Sequence, residues 1–599
     1  MGDAVRLGIS TLDDAPEVGE NSGIRTNVPT MVPESAVREH MREVSSGTAI
    51  APGSPPSGKR PILTPLFTFA LPPRRKSQRP GALHLPTGKD IEQSRIRAVQ
   101  FLLDHMMPAE DGQGFLFYSP MEGRVLETAL TLHILQRNGL DYDWQDQLRT
   151  YLQERLHTAD LFSSTVARAV LATSLRSPMR LDDPTYSAGV NRLLSGLQFA
   201  RKRKQALLGT ILAEVGAVPF ETVALDPELF SDEAVHLFSH MYYAALKIIH
   251  ERRVPSGVSL SADIAFLEDT QAEDGSWEQQ SLITLAVLLA LGPQHPSFHR
   301  GLAFLRKLTR DDGGVAFCDN LNLWTTALAA IALLNSQQVP ARALYGVADY
   351  IVARQQDGGG WAFSENVIQT DTDTTAQCAQ FLLQLDPERY ADSIERAHEH
   401  FRCRQRPDGG YPTYEIAGDS EATMTANIVL VQSMSIDRHP DFHERIRGAL
   451  RFICSRQAFD GTFERSWSLS EIYSIFRVNL AFNGCRGIVE TPEIDEAQRR
   501  SARYLIASQH PDGGWGQTST KPSDALSTAY ALLTLALLRR QVPPQHFALG
   551  LEFLVSQQNQ VTGEVESIPD VVGPRPIVFN IPLLSTVFAA MALRVVEQI

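Results

Sequence analysis

From about residue 90 onward, apolar residues recur at the three- and four-residue spacing of amphipathic helices, broken at Gly- and Pro-containing turns. Two grades of helix alternate. Some carry a single apolar stripe, whereas others, such as LSTAYALLTLALL and LWTTALAAIALL, are apolar almost all round. A helix that is hydrophobic on every side belongs in a core. The pattern therefore predicts an all-α fold with an inner ring of apolar helices inside an outer ring of amphipathic ones. Residues 1–88 read differently, being rich in Pro, Ser, Gly and Arg (APGSPPSGKRP, LPPRRKSQRPG). Such a composition buries too little apolar surface to offset chain entropy, and a disordered tail is expected there.

One unit recurs through the helical part, aromatic-Leu/Ile-x-x-x-Gln-x-x-x-Gly-x-aromatic. It appears as FLEDTQAEDGSW ending at Trp277, YIVARQQDGGGW at Trp361, HFRCRQRPDGGY at Tyr411, RFICSRQAFDGTF at Phe463 and YLIASQHPDGGW at Trp515. Decayed copies are FLRKLTRDDGGV and FLVSQQNQVTGEV. Gln355, Gln405, Gln457 and Gln509 are about 50 residues apart, the period of a repeat architecture whose units cannot bury their apolar faces alone. Gln is expected to tie turn groups, Gly to permit the tight turn, and the aromatic to pack over the junction. Six such hairpins closed on themselves give a double-walled α-barrel.

The helices after the turns align on a shared Thr as DTDTTAQ (Asp371 to Gln377), EATMTAN (Glu421 to Asn427), DALSTAY (Asp524 to Tyr530) and NLWTTAL (Asn322 to Leu328). The first column, Asp, Glu, Asp and Asn, suits helix starts, where such groups satisfy free amides. The third column holds Asp373, Thr423, Leu526 and Trp324, so an acid there is peculiar to one repeat. Asp373 invites a chemical reading. A buried carboxyl stays protonated when burial and a second carboxyl nearby disfavour its charge, and Asp371 is two residues away.

The Gln-x-x-x-Gly-x-Trp copies resemble the QW motifs of triterpene and diterpene cyclases over about residues 90–599. GGWAFSENVIQTDTDTTA resembles the stretch that carries the DxDD acid motif of class II terpene cyclases. The resemblance implies that Asp373 protonates an isoprenoid alkene, with Asp371 as its hydrogen-bonding partner and Thr374 in place of the third acid. That DxDTT form resembles the bacterial class II sesquiterpene cyclases that make drimenyl diphosphate. It further implies two α-barrels: residues 89–118 as first helix of a catalytic β barrel, 119–299 as an inserted γ barrel, and 300–599 as the rest of β.

A cation cascade calls for aromatic faces, whose quadrupoles stabilise positive charge. Trp324, Phe363, Tyr414 and Trp467 match aromatic positions of the hopene-cyclase cavity by local motif, and Phe579 in FNIPLLS matches loosely. A diphosphate would need cations. Arg477 interrupts the apolar stretch SEIYSIFRVNLAF and shares a helix face with Tyr473, while Lys521 precedes a helix N-terminus; both are expected to bind diphosphate. Mg2+ is expected through the substrate diphosphate, with no metal ligand assigned. LEDTQAED (Leu267 to Asp274) is similar to an acidic magnesium-binding stretch, whereas DDAPE in the tail matches DDxxE by chance.

Charge narrows the partners. A formal net charge of −14 and a pI near 5.6 argue against nucleic acid. Five cysteines without a CxxC pair suggest neither a disulfide framework nor zinc, and no signal peptide or run of 18 apolar residues is present. A cytoplasmic enzyme acting on a small isoprenoid diphosphate is expected, with no nucleic acid and no integral membrane segment. Farnesyl diphosphate is preferred over geranylgeranyl diphosphate and squalene. The rival readings are a zinc protein prenyltransferase subunit, which lacks its Asp-x-Cys site here, and a helical-barrel binding module, which would not need an acid in only one repeat.

Overall fold

The computed structural model describes residues 86–174, 201–223, 236–414, 418–489, 492–573 and 578–597; the expected tail and its DDAPE stretch lie outside them. Helix α1 (Gly88–Asp104) opens with a capping box in which Thr87 and Asp90 satisfy each other's backbone amides. Eight described helices follow: α2 (Val125–Asn138), α3 (Tyr142–Arg155), α4 (Leu161–Ser174), α5 (Arg201–Glu214), α6 (Leu237–Arg253), α7 (Ser261–Asp269), α8 (Ser281–Leu291) and α9 (Pro296–Lys307). Among these, α2 packs on α3, α4 and α8, while α6 packs on α5, α7 and α8.

The remaining chain alternates inner and outer helices. The inner ones are α10 (Asn322–Leu333), α12 (Thr372–Leu385), α14 (Ala422–Met434), α16 (Glu471–Gly484), α18 (Ala525–Leu537) and α20 (Leu583–Glu597). Each packs on the next, and α20 packs back on α10, so the ring closes. Outer helices α11 (Ala341–Val352), α13 (Ala391–Arg402), α15 (Phe442–Arg456), α17 (Pro492–Ser508) and α19 (Pro544–Ser556) back α10 to α18 in order. Helix α1 backs α20 and fills the last outer position. As the patterning predicted, the apolar helices lie inside: α14 is buried from Ala422 through Ser433, whereas α13 buries one face through Ile394, Ala397 and Phe401.

Every clear repeat is tied in the same way. The side-chain amide of Gln355 donates to Gly359 O at 2.8 Å and to Ser393 O at 2.9 Å, on the next outer helix. Gln405, Gln457, Gln509 and Gln271 repeat that pair of bonds. The indole of Trp361 donates to Ile351 O, and those of Trp515 and Trp277 to the carbonyls ten residues before them. The shared Thr is explained too, because Thr375, Thr425 and Thr528 each accept the backbone N–H of the repeat's aromatic residue. Gly359 has φ +79°, and a Cβ there would lie 2.2 Å from Arg396 O. Only glycine fits a turn that close to its neighbour.

Among the described residues, strands form only short antiparallel pairs: β1 (Met106–Pro108) with β2 (Phe115–Phe117), β3 (Gly123–Arg124) with β4 (Val315–Ala316), and β5 (Val571–Val572) with β6 (Val578–Phe579). These lie in connections. No described helix is long and apolar enough to cross a membrane.

Candidate active site

The repeat ties orient the inner helices with their N-termini at one end of the barrel, and α12 starts there with Asp371 and Asp373. Asp371 is the N-cap, its Oδ1 accepting the Thr374 amide at 2.7 Å. Asp524 caps α18 identically, through Ser527 N at 2.7 Å. The first column of the repeat alignment is therefore structural at both aspartates.

Asp373, two residues into α12, is buried and surrounded by N–H donors. Its Oδ2 accepts from the indole of Trp324 at 2.9 Å. Its Oδ1 accepts from Asn427 Nδ2 at 2.7 Å and from Gln377 Nε2 at 3.0 Å. A carboxyl oxygen offers two lone-pair directions. Both are filled on Oδ1, so the oxygen with room for a proton is Oδ2, which accepts one bond from the indole edge of Trp324. Once that proton leaves, all three donors are already aimed at the carboxylate, the arrangement that stabilises developing charge without reorganisation.

The expected bond between the two carboxyl groups is not formed. Residues two apart on a helix do not face each other, and Asp371 Oδ2 is buried without a hydrogen-bond partner. Burial lifts the Asp371 carboxyl to about 7; the Thr374 amide opposes this and the Asp373 charge adds to it. The Thr374 hydroxyl is also buried without a partner.

Four of the five expected aromatics are tied to Asp373, to each other or to its neighbours through side-chain or backbone contacts. Trp324 contacts it directly, and the Trp324 amide donates to Phe363 O. Tyr414 follows Thr413, whose carbonyl accepts from Thr372 N, and stands edge-on to Trp467 at 6.0 Å. Phe579, on β6, instead stacks on Phe317 at 5.2 Å, with no described contact to the other four. The two basic residues expected together are in different settings. Lys521 is exposed in the loop before α18. Arg477 is buried at the seventh residue of α16, its Nε donating to Asn427 Oδ1 at 2.6 Å and its Nη2 to Gln377 Oε1 at 3.4 Å.

Several residues here went unread in the sequence. Gln377 and Asn427 stand in the seventh column of the repeat alignment, where polar side chains on apolar helices were a visible signal. Tyr473, Tyr530 and Phe588 form an aromatic cluster across α16, α18 and α20, with ring centroids 5.1 Å and 4.7 Å apart along the chain of contacts. The Tyr473 hydroxyl is buried without a partner. Glu278 had no sequence signal. It is buried, its oxygens accept the amides of Ile368 at 3.0 Å and Gln369 at 3.3 Å, and burial pushes its carboxyl up to about 7 against those bonds. Glu278 and Gln279 have φ +53° and +55°. Adjacent non-glycine residues in that region store strain that the surroundings must hold. In the LEDTQAED stretch just before them, Gln271 and Asp274 serve the turn, and Glu268, Asp269 and Glu273 are exposed.

Residues 321–597 match the family model described as Squalene-hopene cyclase C-terminal domain. The fold resembles the ent-copalyl diphosphate synthase from Streptomyces platensis, with a TM-score of 0.55 at 18% identity, covering 85% of this chain and 99% of that one. In sequence the chain is 34% identical to the drimenyl diphosphate synthase of Streptomyces showdoensis, over 80% of this chain and 91% of that protein. A second drimenyl diphosphate synthase, from Streptantibioticus cattleyicolor, is 32% identical over 86% of this chain and 96% of its own length. The chain belongs to the class II terpene cyclases.

The capping aspartates carry a stability signature. Burial lifts the Asp524 carboxyl from 3.8 to about 6, mainly against the Ser527 bonds. The folded state thus holds this proton more tightly than the unfolded state, so the contribution is complete below pH 4 and is lost as pH rises through about 6. Asp524→Asn keeps the cap and removes the titration. Its melting temperature should gain on that of the parent protein as pH rises from about 4 to 7, and parallel pH profiles of the two melts would refute the buried-acid account.

Proposed function

We propose that the chain cyclises farnesyl diphosphate to a drimenyl-type bicyclic diphosphate, with Asp373 as the acid. The observation that carries this reading is the buried Asp373 carboxyl, with one oxygen doubly donated and the other accepting a single bond, from the Trp324 indole. The choice of substrate draws on the names of the two relatives, which the chain covers almost end to end.

In this reading Asp373 Oδ2 gives its proton to the distal alkene of the prenyl chain, leaving a tertiary cation. The central and proximal alkenes then close two rings in turn, and loss of a proton from the bicyclic cation forms a new alkene. One proton is gained and one lost, so the product is an isomer that keeps its diphosphate. Trp324, Phe363, Tyr414 and Trp467 offer ring faces to the migrating charge, worth about 0.5–2 kcal/mol each. Asp371 holds the helix start that places Asp373 rather than bonding to it. Residues 89–118 and 300–599 form the acid-bearing barrel and 119–299 the inserted one; the packing of α1 on α20 supports that division.

Mg2+ would neutralise diphosphate charge and hold that group in place. Among the described residues, no three His, Cys, Asp or Glu side chains are placed to hold a metal ion. A magnesium ion arriving with phosphates needs only one or two carboxylates. Glu278 fits: it is buried, meets no cation among the described residues, and holds the backbone just ahead of Asp371. Lys521, exposed before the α18 N-terminus, is a second candidate for the diphosphate.

Purified protein supplied with farnesyl diphosphate should yield a bicyclic diphosphate, detected after dephosphorylation, and should convert geranylgeranyl diphosphate and squalene less well. Asp373→Asn should cut turnover by at least about 100-fold with an unchanged melt. Near-normal cyclisation by that variant would place the acid elsewhere, and preferred conversion of squalene would overturn the substrate. Glu278→Gln should raise the Mg2+ concentration for half-maximal activity by about ten-fold, the loss of roughly 1.4 kcal/mol of binding. An unchanged requirement would remove Glu278 from the metal reading.

A further inference from the structure

Arg477 is a buried cation with no carboxylate paired to it among the described residues. Burying a charge in that way costs several kcal/mol unless hydrogen bonds compensate. Among the described residues its hydrogen-bond acceptors are two side-chain amide oxygens, Asn427 Oδ1 and Gln377 Oε1. The same two amides donate to one oxygen of Asp373. Gln377, Asn427 and Arg477 lie at similar depth on the successive inner helices α12, α14 and α16.

An Asn or Gln side chain can turn over, exchanging its oxygen and its NH2, and the two orientations have nearly the same shape. Beside a neutral carboxyl, either orientation could be satisfied. Beside a guanidinium, which has donors only, each amide must turn its oxygen toward the arginine. Its NH2 then points the other way, at Asp373 Oδ1. Arg477 therefore fixes both amides in the orientation that donates to the acid, and its charge polarises the two bonds. Hydrogen bonds to the charged form of a group favour that form.

We propose that Arg477 is a positioning residue for the acid, locking Asn427 and Gln377 as donors to Asp373 Oδ1 and so stabilising the carboxylate left when the proton is given up. The proposal rests on Asp373 being the acid. It assigns Arg477 to the acid rather than to the diphosphate, and predicts that its loss slows proton transfer more than it weakens substrate binding.

Among the described residues, the titratable groups that interact electrostatically with Asp373 are Asp371 and Cys378 on its own helix, Tyr414 from the loop before α14 and Tyr473 from α16, while Arg477 on α16 reaches it through Asn427 and Gln377. Trp324 from α10 and Asn427 from α14 do not titrate. Burial raises the thiol and both phenols, Tyr414 well above its ordinary range. Among the groups on other elements, Arg477 is the one whose removal changes the charge around the acid at neutral pH.

The test compares Arg477→Met, Arg477→Lys and Asp373→Asn with the parent protein, using farnesyl diphosphate in H2O and in D2O and thermal melts for folding. Arg477→Met should lower kcat by about 100-fold and change KM by less than about two-fold. The solvent deuterium isotope effect on kcat should grow, because proton transfer is the step that loses its support. Arg477→Lys supplies a cation with several donors and should recover to within about ten-fold of the parent. A large KM increase with kcat intact would make Arg477 a diphosphate ligand, and a fall in kcat with an unchanged solvent isotope effect would reduce it to a packing role. Either overturns the proposal. Should Arg477→Met not fold, Gln377→Leu, which removes one donor, decides by the same criteria with a smaller change of the same sign. If Asp373→Asn remains active, the acid assignment itself fails, an outcome separate from a failure confined to Arg477.

Discussion

The glutamine that closes each repeat is the interaction on which the rest of the structure depends. One side-chain amide holds the carbonyl of its own turn and a carbonyl of the following outer helix, in Gln355, Gln405, Gln457 and Gln509 alike. A hairpin so tied sets both the angle at which the chain enters the next inner helix and the end of the barrel from which it enters. Each such bond contributes about 1 kcal/mol net, but the repetition brings helix starts to one rim. Buried backbone amides are abundant there, and carboxyl groups can be held there without a cation beside them.

That rim explains how an acid can be placed in an apolar barrel. Asp371, Asp524 and Asp570 are all buried near helix starts and pushed up to about 7, 6 and 6 by burial, each partly relieved by backbone or hydroxyl donors. Caps of this kind tolerate a proton or its absence. Asp373 differs in facing side-chain donors from three inner-helix positions rather than its own backbone. The cap fixes its place and the neighbours supply the donors to its carboxyl group, so the two tasks fall to different residues. Strain at Glu278 and Gln279 is held in the same region, where Glu278 clamps the backbone that leads into Asp371.

Much of this was legible in the sequence, for reasons that can be named. The repeat was readable because Gln, Gly and the aromatic each perform one indispensable contact, and the inner helices because they are apolar on every side. Asp373 stood out as the one acid in a column where the other repeats place Thr, Leu and Trp. What escaped depended on depth and direction. Helical spacing put Arg477 on the face of Tyr473 but could not say that it lies well inside α16, where two amides take its bonds. The family resemblance implied that Asp371 bonds to Asp373, yet the cap turns Asp371 toward Thr374. Phe579 carried a loose motif and belongs to the stack with Phe317, and Glu278 lies at a positive-φ position that non-glycine sequence does not announce.

The central claim is that chemistry begins with a proton delivered by Asp373 rather than with departure of diphosphate. It is tested most directly by running the reaction in D2O, where a carboxyl proton exchanges with solvent before each turnover. The account predicts a bicyclic diphosphate carrying deuterium at the ring carbon derived from the protonated distal alkene, with no release of inorganic diphosphate. A product free of deuterium at that carbon, or inorganic diphosphate released in step with turnover, would contradict it.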